Sequence, residues 1–235
     1  MSRVLPARGK AAPRRAAPRG EAASTGSRPG LAASLARTAR PKQWLKNVLV
    51  FTAPGAAGVL THAAPLERTL AAVGIFCLVA SGTYFLNDAA DAAADRGHPT
   101  KSLRPIASGA ISRTTGTAIG VVALAVGIGL SFLVSWKLAV VIGIYVAVQF
   151  GYSFYLKNQP VLDLAAVASG FVLRAIAGGV AAKVPVSEWF LIVATFGSML
   201  MVTGKRLGEH IELGETAGTH RSTLDAYSVT FLRSV

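Results

Sequence analysis

Residues 115–134 read TGTAIGVVALAVGIGLSFLV and, three residues later, 138–156 read LAVVIGIYVAVQFGYSFYL. Neither stretch holds a charged residue, and each is close to the roughly 20 residues a helix needs to cross a bilayer. In lipid the backbone must satisfy its own polar groups, so the two stretches predict consecutive, antiparallel transmembrane helices. Working outward, similar apolar stretches lie at 47–63, 69–86, 161–182 and 187–203, which makes six candidate spans. The expected fold class is all-α, a polytopic transmembrane helical bundle.

Composition points the same way. Charged residues are 15% of the 235, against roughly 25% in soluble domains, and mean hydropathy is +0.49. A net charge of +13 could suggest nucleic acid, but Lys and Arg flank the apolar blocks instead of striping one polar face. No nucleic-acid partner is expected. The single cysteine, Cys77, excludes an internal disulfide framework, a Cys-rich zinc site and an iron–sulfur cluster. With the N-terminus inside, segments 1–46, 87–114, 157–160 and 204–226 hold nineteen Lys/Arg, and the outside loops hold three. That asymmetry predicts a multi-pass plasma-membrane protein with a cytoplasmic N-terminus. Residues 1–39, rich in Ala, Arg, Pro and Gly, are expected to form a disordered basic tail before a membrane domain at 40–235. An apolar stub from Tyr227 to Val235 is too short to cross.

The sharpest chemical signal is Asn87-Asp88-Ala-Ala-Asp91-Ala-Ala-Ala-Asp95. Spacings of three and seven put the three carboxylates on one helix face. Like charges so placed repel unless a cation joins them. Hard oxygen donors suit Mg²⁺, which usually takes one or two carboxylates plus substrate phosphates. A solvated acidic helix end is the plain alternative. Lys101 and Arg104 follow in the same loop and fit either phosphate binding or ordinary inside charge. Lys46 before the first span, and Tyr152 with Lys157 after the fourth, face the same choice between a ligand and headgroups. Arg174 lies about 20 Å into a span, deep enough to be costly, and is either a pocket residue or half of a buried pair. Lys205, Arg206 and Glu209 end the sixth span as a second charged cluster or a solvated loop.

Taken together, these motifs resemble the UbiA-type intramembrane prenyltransferase superfamily. Arg40-Pro-Lys-Gln-Trp-Leu-Lys-Asn, His98-Pro-Thr-Lys, Arg104-Pro-Ile-Ala, Tyr152-Ser-Phe-Tyr-Leu-Lys and Gly204-Lys-Arg are similar to its decaprenyl-phosphate phosphoribosyltransferase branch, found in actinobacteria. The resemblance implies a nine-span bundle, of which about six spans are legible here, so the chain reads as C-terminally truncated. It implies transfer of 5-phosphoribose from 5-phosphoribosyl 1-diphosphate to a polyprenyl (decaprenyl) phosphate, feeding arabinan synthesis for the cell wall. Asp88, Asp91 and Asp95 would then be catalytic and hold Mg²⁺. Asn87, Lys46, Lys101, Arg104, Tyr152, Lys157, Arg174, Lys205 and Arg206 would bind substrate, with Glu209 in a second acidic site. A typical prenyltransferase carries a second Asp-rich motif where this chain has Lys205-Arg206-x-x-Glu209, which favours the phosphoribosyl donor. The alternatives are transfer of a prenyl group from a prenyl diphosphate to an aromatic acceptor, a small transporter, or a non-catalytic remnant.

Overall fold

A computed structural model describes residues 30–213, with the backbone alone at 210, 212 and 213. Among the described residues there is no strand, and five helices are long and apolar enough to cross a membrane. They are α3 (Ala63–Arg96), α4 (Arg113–Val134), α5 (Trp136–Phe154), α6 (Leu162–Ala182) and α7 (Glu188–Leu213). Short α1 (Leu31–Ala39) and α2 (Thr52–Ala56) precede them. Helix α1 corrects the expectation of a disordered tail for 31–39; residues 1–29, 214–226 and the stub at 227–235 lie outside the described residues.

The second correction concerns the first span. Residues 47–63 form no single long helix. A 3₁₀ helix, Pro41–Phe51, runs into α2, and the chain turns at Gly58 before a short 3₁₀ turn, Val59–Thr61. Pro54 and Gly55 weaken helix continuation here, which a search for 3.6-residue periodicity misses. The buried residues of the 3₁₀ helix, Asn47 and Val50, lie three positions apart, matching the three residues per turn of 3₁₀ geometry. At about 2.0 Å rise in 3₁₀ and 1.5 Å in α form, residues 41–56 still extend roughly 30 Å, a hydrocarbon thickness.

The main core lies among α3, α5, α6 and this 3₁₀ segment. Phe76, Val79, Leu138, Ile142, Ala177 and Val50 are fully enclosed there, and Phe76 meets Tyr145 edge-on at 5.2 Å between ring centroids. Helices α3 and α4 approach along Gly116, Gly120 and Gly127, where any Cβ would run into Ile106, Leu86 and Val79. Small residues permit that approach where no aqueous hydrophobic effect drives helices together. The loop after α3 folds back, burying Ile106 and Ile111 against Phe85, Ala89 and Ala92. Arg96 Nε donates to the Ala107 carbonyl at 3.2 Å and ties the loop to the helix end.

Gly178 marks the closest backbone approach. A Cβ built there lands on the Val50 carbonyl, which cannot move aside as a flexible side chain could. Gly178→Ala should therefore destabilise the fold by about 1–3 kcal/mol despite alanine's better helix propensity. Gly143→Ala on α5, where nothing lies within 4 Å, should be neutral or slightly stabilising. Thermal midpoints of the two variants in one detergent provide the check, and equal shifts would refute the close-approach argument.

A candidate active-site cavity at one end of the bundle

Helices α3, α5 and α7 finish at the end of the bundle where α6 begins, and a cavity of about 810 Å³ opens among them. Eleven of the thirteen residues singled out from sequence stand on its wall. From α3 and its loop come Asn87, Asp88, Asp91 and Arg104. Lys46 comes from the 3₁₀ segment, and Tyr152, Lys157 and Arg174 come from around α5 and α6. Helix α7 supplies Lys205, Arg206 and Glu209. The wall carries seven cationic side chains, counting Arg40, against three carboxylates.

Asp95 and Lys101 are not on the wall. Asp95 is buried and its Oδ2 accepts from Arg104 Nη1 at 2.8 Å. Lys101 is exposed, and its backbone N–H turns toward His98 Nδ1 at 3.4 Å, so His98 organises the loop. The expected three-carboxylate cluster is not formed either: among the described residues no three acidic, His or Cys side chains converge as metal ligands. The reason is competition by guanidinium groups. Asp88 Oδ1 accepts from Arg40 at 2.7 Å and from Arg104 at 3.2 Å, and Arg104 thereby bridges Asp88 and Asp95.

Arg40 reaches this position from the junction of α1 and the 3₁₀ helix, where it takes a left-handed conformation with φ 54°. Its guanidinium lies 4.7 Å from the centre of the Tyr84 ring. Neither Arg40 nor Tyr84 stands out in the sequence by spacing. Arg40 opens the Arg40-Pro-Lys-Gln-Trp motif, whereas Tyr84 is identified only by its place on the cavity wall beside Arg40.

Two groups on α3 are left available. Asp88 Oδ2 has no partner among the described residues, and neither has the exposed carboxylate of Asp91 one turn further on. They are hard oxygens three residues apart, hence on neighbouring turns of one face. One or two carboxylates beside substrate phosphates is the usual protein contribution to Mg²⁺. The donor set therefore fits Mg²⁺ through Asp88 and Asp91, without Asp95.

The inner wall is different. Arg174 is buried, donating from Nε to Asn47 Oδ1 at 2.8 Å, from Nη1 to the Gly170 carbonyl at 2.6 Å and from Nη2 to Tyr145 Oη at 3.0 Å. It also lies over the rings of Tyr145 and Phe76, at 4.9 and 5.5 Å. Its partners are neutral, so it is not half of a buried ion pair. Lys46 has no carboxylate partner among the described residues and sits 6.0 Å from the Phe171 ring centre. Asp163, eleven residues before Arg174 on the same helix, pairs with Arg206. Asp163 follows Val161, whose φ of 66° and ψ of −48° form a tight turn with the Leu162 N–H donating to the Pro160 carbonyl at 2.8 Å. Such a backbone costs about 1–3 kcal/mol at a β-branched residue, and it is held by the helix start around it.

A model of the UbiA prenyltransferase family matches residues 48–204. The chain is 48% identical over 211 residues to a protein of Corynebacterium glutamicum named decaprenyl-phosphate phosphoribosyltransferase, covering 87% of this chain and 63% of that one. A protein of the same name from Mycolicibacterium smegmatis is 45% identical over 87% of this chain and 66% of its own length. The chain thus spans just under two thirds of the length of these curated relatives. Among solved structures, a UbiA homolog from Archaeoglobus fulgidus bound to GPP and Mg²⁺ superposes with a TM-score of 0.65 at 21% identity, over 79% of this chain and 66% of that one. That likeness is one of fold. With five membrane-crossing helices and a family match over most of its length, this chain is a multi-pass membrane protein that belongs to the UbiA prenyltransferase family.

Proposed function

We propose that this chain transfers 5-phosphoribose from 5-phosphoribosyl 1-diphosphate to a polyprenyl phosphate of the decaprenyl class, supplying a precursor for cell-wall arabinan. The observation that carries the reading is the charge of the cavity wall, seven cations against three carboxylates, distributed over the 3₁₀ segment and its junction with α1, the loop after α3, the α5–α6 connection, α6 and α7. A prenyl diphosphate with an aromatic acceptor brings one diphosphate to such a cavity. The proposed pair brings a diphosphate, a 5-phosphate and a lipid phosphate, which matches cations spread along the 3₁₀ segment, α5–α6 and α7. The names of the corynebacterial and mycobacterial relatives support the same donor and acceptor. The basic residues at 40, 46, 104, 157, 205 and 206 gather at one end, which supports a cytoplasmic mouth and N-terminus in the plasma membrane.

In this mechanism Asp88 and Asp91 would hold Mg²⁺, which when bound would supply charge neutralisation for the departing diphosphate. Support for the metal comes from the Mg²⁺ in the archaeal homolog and from the unpartnered oxygens on α3. Arg40 and Arg104 take phosphate oxygens beside the acids. Lys46 and Arg174 receive the lipid phosphate, whose oxygen forms the new bond to the ribosyl anomeric carbon as the bond to diphosphate breaks. That oxygen is already ionised, so no strong general base is required; positioning and fixed charges lower the barrier. Tyr152, Asn87 and Lys157 orient the ribosyl phosphate between the two anionic ends.

Membranes containing the chain, supplied with labelled phosphoribosyl diphosphate, decaprenyl phosphate and Mg²⁺, should yield labelled lipid, and EDTA should abolish it. Asp91→Ala should lower the rate by about 10²-fold or more, the scale of losing an electrostatic stabiliser. Because Asp91 is exposed and makes no side-chain hydrogen bond or ion pair among the described residues, the variant's thermal midpoint should stay at the wild-type value. Substantial residual turnover in that variant would remove Asp91 from the mechanism. Prenylation of an aromatic acceptor from a labelled prenyl diphosphate, with no phosphoribosyl transfer, would establish the alternative donor.

The inner cations give an independent prediction. Lys46→Gln should raise the KM for polyprenyl phosphate about tenfold or more, as for a lost hydrogen bond to a charged group, and leave the donor KM nearly unchanged. A donor-side effect instead would reverse the assignment of the two ends.

A further inference from the structure

Asp163 lies in the first turn of α6 and is completely buried, outside the cavity wall to which Arg206 and Glu209 belong. Its Oδ2 accepts from Arg206 Nε at 3.1 Å and its Oδ1 accepts from Nη2 at 3.3 Å. A guanidinium is planar, so two bonds along one edge fix its plane and aim the remaining nitrogen. That nitrogen, Nη1, donates to Glu209 Oε2 at 2.8 Å. Side-chain exposure rises along this relay, from 0% at Asp163 through 5% at Arg206 to 31% at Glu209. Lys205 approaches the other Glu209 oxygen at 3.7 Å, but it is 72% exposed and too mobile to fix a direction.

The arrangement exceeds what joining two helices requires. An apolar contact between α6 and α7 would join them as well, and Leu164, Ala168 and Val202 already do so. The carboxylate lies in the first turn of α6, the favourable end of the helix dipole for an acid. What the ion pair adds is direction. We propose that Asp163 is a positioning residue: through Arg206 it holds the Glu209 carboxylate on the α7 wall of the cavity, where Glu209 meets the cation-bound diphosphate end of the donor. This rests on the donor-binding reading above and extends it to a residue that touches no substrate.

The test is equilibrium binding to the full chain in detergent, with Mn²⁺ and either inorganic diphosphate or phosphoribosyl diphosphate as probe, alongside thermal midpoints. Asp163→Asn and Glu209→Gln should each weaken diphosphate binding about tenfold, and the double variant should be no weaker than either single one. Arg206→Lys, which keeps the charge but loses the fork, should match Asp163→Asn and carries the comparison if that variant does not fold. Losses that multiply in the double variant would overturn the relay. So would unchanged binding in Asp163→Asn with a lowered midpoint, because that is the signature of a purely structural pair. Wild-type binding of diphosphate without phosphoribosyl diphosphate would overturn the donor reading, while the relay is still decided on diphosphate. Binding of neither probe would overturn both.

Discussion

The structure depends on how one guanidinium, that of Arg174, is accommodated inside a membrane protein. A buried cation loses its hydration, and without an acid beside it the loss must be offset by dipoles and aromatic faces. Asn47, the Gly170 carbonyl, Tyr145 and Phe76 provide these, and they come from four different elements. The 3₁₀ segment must therefore lie directly against α6. Its three-residue repeat brings Asn47 and Val50 to one face, opposite Arg174 and Gly178, which are four residues apart on an α-helix. The polar bond and the bare glycine are two halves of one contact. Asn47 also donates to Cys77 Sγ at 3.1 Å, extending the contact to α3.

Around that fixed floor, the acidic wall is built differently. Asp88 and Asp95 would repel each other and Asp91, and Arg104 relieves this by bonding to both. Arg40 and Arg104 are about one third exposed, so water screens their bonds to Asp88 in part. Under the proposed function, a cation on Asp88 and Asp91 would release Arg40 toward phosphate oxygens, while Arg104 keeps its bond to Asp95.

The long apolar helices and the helical spacing of 88, 91 and 95 are legible in the sequence because both are local patterns with one period. The 3₁₀ segment is not, because its period of three resembles neither helix nor strand, and Pro54 with Gly55 hides its continuity. Arg174 shows up by depth alone, but its neutral partners lie 29 and 127 positions away in the chain. Asp95 and Lys101 share every sequence feature of the cavity residues. What separates them is the path of the loop after α3, which turns Arg104 onto Asp95 and leaves Lys101 in solvent. Asp163 carries no motif at all, and its link to Arg206 exists only once α6 and α7 are side by side.

The two charged walls of the cavity obey opposite rules, and this asymmetry bears on how the site can work. On α3 the guanidiniums come from a loop and a helix junction, are partly exposed, and hold acids that have oxygens to spare. On α7 the guanidinium is enclosed, spends its bonds on Asp163 and Glu209, and is locked from behind by a residue that never meets the cavity. A wall whose ion pairs are partly hydrated suits the end where the proposed donor and cation would bind. A wall whose ion pair is sealed suits a fixed reference against which the ligand is aligned. The proposed transfer between two anionic substrates would use both, since charge must be neutralised on binding while the reacting atoms keep their line.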